Sequence, residues 1–114
     1  MAEKVVLYVR FKTKAGKKEE SGRHLHALVE IMKVEPAFLN AIIHDDPEQA
    51  DDIVIYETWQ GTRESWLKNE FTKPYRAPYE KLLAELVEER VIVFLTPVEE
   101  WYRNVREEDR REGR

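Results

Sequence analysis

Phe38-Leu39-Asn40-Ala41-Ile42-Ile43-His44 and Ile53-Val54-Ile55-Tyr56-Glu57-Thr58-Trp59 are two short runs rich in β-branched and aromatic residues, separated by the acidic stretch Asp45–Asp52. Two such runs around a polar connection read as a β-hairpin. Phe38, Asn40, Ile42 and His44 fall on one side of the first strand, and Leu39, Ala41 and Ile43 on the other. The connection is expected to be a solvated turn, too polar to bury.

Helical patterns flank this hairpin. Upstream, Leu25, Leu28, Val29, Ile31 and Met32 recur at helical spacing within residues 18–35. Pro36 ends that pattern, because the residue before a proline is pushed out of helical geometry. Downstream, Gly61-Thr62 opens a short helix with Thr62 as its N-cap and Trp66, Leu67 and Phe71 as its apolar side. Lys73-Pro74 breaks it. A second helical piece carries Tyr75, Tyr79, Leu82, Leu83 and Leu86 on one stripe, with Pro74 and Pro78 before or within its first turn.

One further strand lies at each end: Val5–Phe11, preceding the turn Ala15-Gly16-Lys17, and Val91–Leu95. The order is strand, helix, strand, strand, broken helix, strand. This is the α+β, ferredoxin-like β-α-β-β-α-β pattern, an antiparallel sheet with both helices on one face. The first and last strands are apolar on both sides, yet no helix remains to cover the second face. A second copy of the chain, sheet against sheet, is the economical cover, so a homodimer is expected. Residues 1–100 form the expected domain, and residues 101–114 a charged C-terminal tail.

The 114-residue chain is 42% hydrophobic and 37% charged, with a net charge of −4. That suits one globular domain with an ion-rich surface. An acidic balance gives no reason to expect nucleic acid as the partner. Apolar runs such as Val91–Leu95 are far shorter than the roughly 20 residues that span a bilayer, so no membrane is expected. The absence of cysteine removes thiolate chemistry and suits a reducing, cytoplasmic setting. No phosphate loop, zinc spacing or Gly-x-Ser-x-Gly elbow is present. The Asp45–Asp52 stretch lacks the ligand spacing and glycine of a calcium loop, so no metal site is expected.

Tyr56-Glu57-Thr58-Trp59, then Trp66-Leu67, then Phe71-Thr72-Lys73-Pro74-Tyr75-Arg76-Ala77-Pro78-Tyr79 resemble the antibiotic biosynthesis monooxygenase (ABM) family over roughly residues 4–98. Upstream, Ala15-Gly16-Lys17 and Glu35-Pro36 fit the same order. The resemblance implies a dimeric α/β barrel with a pocket between sheet and helices. It also implies oxidation of phenols, hydroquinones or haem by dioxygen, without a metal or flavin cofactor. Where many relatives carry a histidine, this chain has Lys68 or Asn69, and the Pro-His pair is Pro74-Tyr75. That points away from a histidine-based mechanism and from haem degradation, toward the polyphenol-oxidising members that use Asn, Trp and Tyr.

Trp66, Asn69, Tyr75 and Arg76 are the catalytic candidates, and Trp59, Phe71 and Tyr79 the substrate-binding ones. The aromatic rings suit a wall for a flat ligand, or equally ordinary core and dimer packing. Asn69 and Arg76 would hold a phenolate, the form able to give an electron to dioxygen. His24 and His26 are two apart and point to different helix faces, so they cannot share one metal. The expected activity is a cofactor-independent monooxygenase on a small aromatic or quinol substrate. A non-oxidative isomerase of this fold and a ligand-binding module are the alternatives.

Overall fold

The computed structural model describes residues 3–103 and contains seven elements. They are β1 (Lys4–Thr13), α1 (Lys18–Met32), β2 (Phe38–Asp46), β3 (Gln49–Gln60), α2 (Arg63–Asn69), α3 (Arg76–Leu86) and β4 (Val87–Leu95). The strands form one antiparallel sheet in the order β2-β3-β1-β4. This is the α+β ferredoxin-like arrangement that the pattern predicts. Most of the expected tail, residues 104–114, lies outside the described residues.

Alternation along β1 generates the two faces. Val5, Leu7, Val9 and Phe11 are buried beneath the helices with Ile53, Ile55 and Trp59 of β3. Leu25, Leu28 and Met32 of α1 and Tyr79, Leu83 and Leu86 of α3 close this core from above. On the opposite face the register aligns Ile42, Tyr56, Tyr8 and Val93 in one row across all four strands. No helix among the described residues covers that row or its neighbours. Ile42, Tyr56, Val91, Val93 and Leu95 are each between 39% and 51% exposed.

Three boundaries differ from the expectation, each for a local reason. α1 stops at Met32 rather than Glu35, since two tight turns precede the hairpin: Glu35 N–H donates to Met32 O and Phe38 N–H to Glu35 O. β4 starts at Val87, directly after α3, because a bulge at Lys12/Thr13 lets β1 pair that far.

The third difference is the acidic stretch, which is mostly strand rather than turn: only Pro47-Glu48 connects β2 to β3. Asp52 is buried, accepting from Arg10 Nη1 at 2.6 Å, and Asp46 accepts from the same nitrogen at 3.0 Å. Arg10 is held on two sides more by the Tyr8 hydroxyl, 2.9 Å from Nη2 and 3.2 Å from Nε. A cation on the neighbouring strand is what makes burial of a carboxylate tolerable there.

Gly61 turns the chain from β3 into α2. Its φ of +108° is one that side chains rarely adopt, and a Cβ would meet Ser65 Oγ at 2.5 Å. Thr62 then caps α2 as expected. Its Oγ1 accepts from Ser65 N–H at 3.0 Å, and Ser65 Oγ accepts from Thr62 N–H at 2.9 Å.

Candidate functional site

The segment from the end of β3 to the start of α3 assembles one cluster beneath the helices. Because side chains alternate along β3, Glu57 and Trp59 point to the covered face, where Glu57 lies between Ala41 and Leu7 in the register. α2 has seven residues and buries only Trp66. Thr72 and Pro74 interrupt the helical path, and α3 restarts with Arg76 and Tyr79 buried.

Trp66 is the hub. Its ring centroid lies 6.3 Å from Trp59, 5.8 Å from Phe71 and 5.8 Å from Phe94. The Arg76 guanidinium sits 5.1 Å from the Trp66 ring and 5.6 Å from the Tyr75 ring, within reach of cation–π attraction.

The polar groups here are poorly matched. Arg76 is only 7% exposed, and among the described residues no carboxylate lies within salt-bridge distance of it. Its Nη2 reaches the Met32 sulfur at 3.5 Å, a weak acceptor, and its Nε has no partner. Trp66 Nε1, Glu70 Oε1 and the Tyr75 hydroxyl are likewise buried without a hydrogen bond. Native proteins rarely leave buried polar atoms unpaired, and four such atoms fall within residues 66–76.

Glu57 is the second charged group of this cluster. It is buried, and its Oε1 accepts from the Trp59 indole N–H at 2.9 Å. Burial pushes its carboxyl above the ordinary range, against smaller opposing effects of that hydrogen bond and the Arg76 charge. Burial likewise pushes the Tyr75 and Tyr79 phenols up.

The space between these groups is small. A cavity of about 30 Å³ is lined by Glu57, Trp66, Phe71, Arg76, Tyr79 and Arg90, among others. That is one water's share of volume. The break in the helix thus leaves no open hollow, because Trp66 and Arg76 fill it. On the outer side, Arg90 of β4 pairs with Glu80 of α3 through bonds of 2.7 and 2.9 Å. A far larger concavity, about 770 Å³, lies elsewhere, as an open groove between Lys4, Thr62, Arg63 and the segment Thr96–Tyr102. Its lining mixes charged side chains such as Lys4, Arg63 and Glu100 with Val5, Pro97, Val98 and Tyr102, and none of the unpaired polar atoms borders it.

Of the residues expected in a site, Trp59, Trp66, Arg76 and Tyr79 come together in the interior, with Phe71 at the rim and Tyr75 against Arg76. Asn69 is exposed at the end of α2. His26 and His44 are exposed and His24 is half-buried on α1, so none of the three lines the cavity. Glu57, Glu70 and the Glu80–Arg90 pair were not expected. Glu57 carried a signal, since strand periodicity puts it on the buried side with Ile55 and Trp59.

The family model for antibiotic biosynthesis monooxygenase matches residues 4–77. No curated protein sequence matches the chain. Among solved structures, PA3566 from Pseudomonas aeruginosa superposes with a TM-score of 0.77 at 19% identity, covering 87% of this chain and 98% of its own. Rv0793 from Mycobacterium tuberculosis gives 0.76 at 16% identity, covering 85% and 97%. SnoaB, a cofactor-independent oxygenase from Streptomyces nogalater, gives 0.75 at 15% identity, covering 87% and 97%.

Glu57 makes stability depend on pH in a direction that can be checked. Its carboxyl is raised in the folded chain, so its contribution is fully present below the ordinary carboxylate value. That contribution declines as pH rises toward the folded value. Thermal unfolding of the wild type should therefore lose ground to Glu57→Gln as pH rises from about 4 to 8, by roughly 5 °C or more. Parallel curves for the two proteins would show that Glu57 does not hold its proton in the fold.

Proposed function

The chain belongs to the antibiotic biosynthesis monooxygenase family, and from that premise we propose that it is a cofactor-independent monooxygenase acting on a small phenolic or quinol substrate. The observation that carries this reading is Arg76, a buried guanidinium between two aromatic faces, with no carboxylate among the described residues within salt-bridge distance. Such a group is a receptor for a flat anion. A phenolate or enolate places its oxygen at the guanidinium and its ring against Trp66 and Tyr75.

In this mechanism the protein supplies position and charge. Arg76 stabilises the ionised substrate, which is electron-rich enough to react with dioxygen directly. For an anthrone, the ring CH₂ becomes a carbonyl. One oxygen atom enters the product and the other leaves as water with the two hydrogens, so four electrons pass to dioxygen. The Tyr75 hydroxyl supplies a hydrogen bond to the oxygen-bearing part of the ligand. Asn69 stays at the surface of α2, where it can reach the substrate only after that helix shifts.

The small cavity requires such a shift, since ligand pockets commonly occupy some hundreds of Å³. α2 is the element suited to move, anchored by one buried side chain and followed by the proline break. The uncovered sheet face belongs to the same reading. Its row of Ile42, Tyr56, Tyr8 and Val93 is apolar enough to pack against its own copy, giving a homodimer that encloses both sheets.

Metal-stripped protein should take up one dioxygen per anthrone consumed. Arg76→Gln should lower kcat/KM by roughly 100-fold and Tyr75→Phe by roughly tenfold. Absence of uptake with anthrones and hydroquinones alike would rule the oxygenase out, and quenching of tryptophan fluorescence without turnover would leave a binding module.

Sedimentation should give twice the chain mass for the wild type, and Val93→Lys should shift it to a single chain. A wild type that sediments as a monomer contradicts the dimer.

A further inference from the structure

Glu57 has no part in the mechanism above, yet it lines the same cavity as Arg76 and is as deeply buried. We propose that the Glu57 carboxyl is a second catalytic group, donating a hydrogen bond to the same substrate oxygen that Arg76 holds. The inference rests on the phenolate reading of the site and adds the residue that recognises the ionised oxygen.

The geometry determines which oxygen donates. Oε1 accepts from the Trp59 indole N–H, and among the described residues Oε2 makes no hydrogen bond. With Oε1 engaged as an acceptor, the proton of the acid resides on Oε2, the oxygen free to turn toward the cavity. Burial favours that acid form. A carboxylic acid kept neutral in an apolar site is an effective donor to a developing oxyanion. The substrate binds already ionised and Glu57 keeps its proton, so no bond is made or broken. A cation and a neutral donor then converge on one anionic oxygen, while its ring lies against Trp66 and Tyr75 with Tyr79 beside it.

The other charged groups around the cavity are few. Arg76 and Glu80 come from α3 with the Tyr79 phenol, and Arg90 from β4. β1 and α1 contribute only apolar side chains to the lining, and α2 contributes Trp66. Glu80 and Arg90 neutralise one another. Glu57 is thus the lining group whose ionisation would place an unbalanced negative charge beside the bound oxygen.

The test uses the full-length protein and 2,4-dinitrophenol, which is ionised throughout roughly pH 6–9, so that any pH dependence belongs to the protein. Wild-type affinity should fall as pH rises through the Glu57 value, since the carboxylate repels the phenolate. Glu57→Gln keeps a donor and cannot ionise, so it should bind well and lose that pH dependence. Glu57→Met, close in shape but without a donor, should bind roughly tenfold more weakly or worse.

If Glu57→Met matches the wild type, if Glu57→Gln retains the wild-type pH profile, or if the probe does not bind the wild type, the proposal is overturned. Binding is read without dioxygen, so absence of oxygen uptake bears on the oxygenase reading alone. Equal oxygen uptake by Glu57→Met and wild type would remove Glu57 and leave the oxygenase standing.

Discussion

A guanidinium buried without a counterion is the constraint on which the rest of this structure turns. Taking an ion out of water costs several kcal/mol even after the surroundings relax. At Arg76 the compensation in the folded chain consists of two ring faces and a methionine sulfur. Contrast Arg10 on the other side of the sheet, which meets two carboxylates and a hydroxyl. The fold can satisfy a half-buried arginine fully, and at Arg76 it does not. Nearby polar atoms on Trp66, Glu70 and Tyr75 are left unmet as well. These unpaired groups gather at one place, and the proposed ligand site rests on that gathering.

The architecture explains how those groups arrive together. The central strand β3 projects Glu57 and Trp59 upward, and the broken helix lays Trp66 and Arg76 across them. The proline break gives two short helices, the first tethered by one tryptophan. That single tether is what would let the proposed site widen for a ring system. The second sheet face has the opposite problem: it is largely apolar and open, and no helix among the described residues covers it.

How much of this was legible in the sequence depends on the kind of signal. Strand and helix order followed from periodicity, because Val5–Phe11 alternates and Leu25, Leu28 and Met32 repeat at helical spacing. Trp59, Trp66, Arg76 and Tyr79 could be grouped because the aromatic run and the prolines lie close along the chain. Asp52 was misjudged, since a run of carboxylates looks solvated until Arg10 on another strand is seen beside it. Glu57 was overlooked for a related reason. Alternation with Ile55 and Trp59 marked its side of the strand, but only the packed fold shows that a helix more than fifteen residues away seals it from water. The small size of the cavity was also out of reach, as it depends on how the Trp66 ring fills space.

The most direct test of the central claim is the unfolding free energy of ligand-free Arg76→Met, measured in urea against the wild type. If the guanidinium is an unmet charge held for a substrate, removing it should leave the fold as stable or more so, by about 1–4 kcal/mol. Should the variant instead lose several kcal/mol, Arg76 is a structural residue already satisfied within the fold, and the site described around it does not exist.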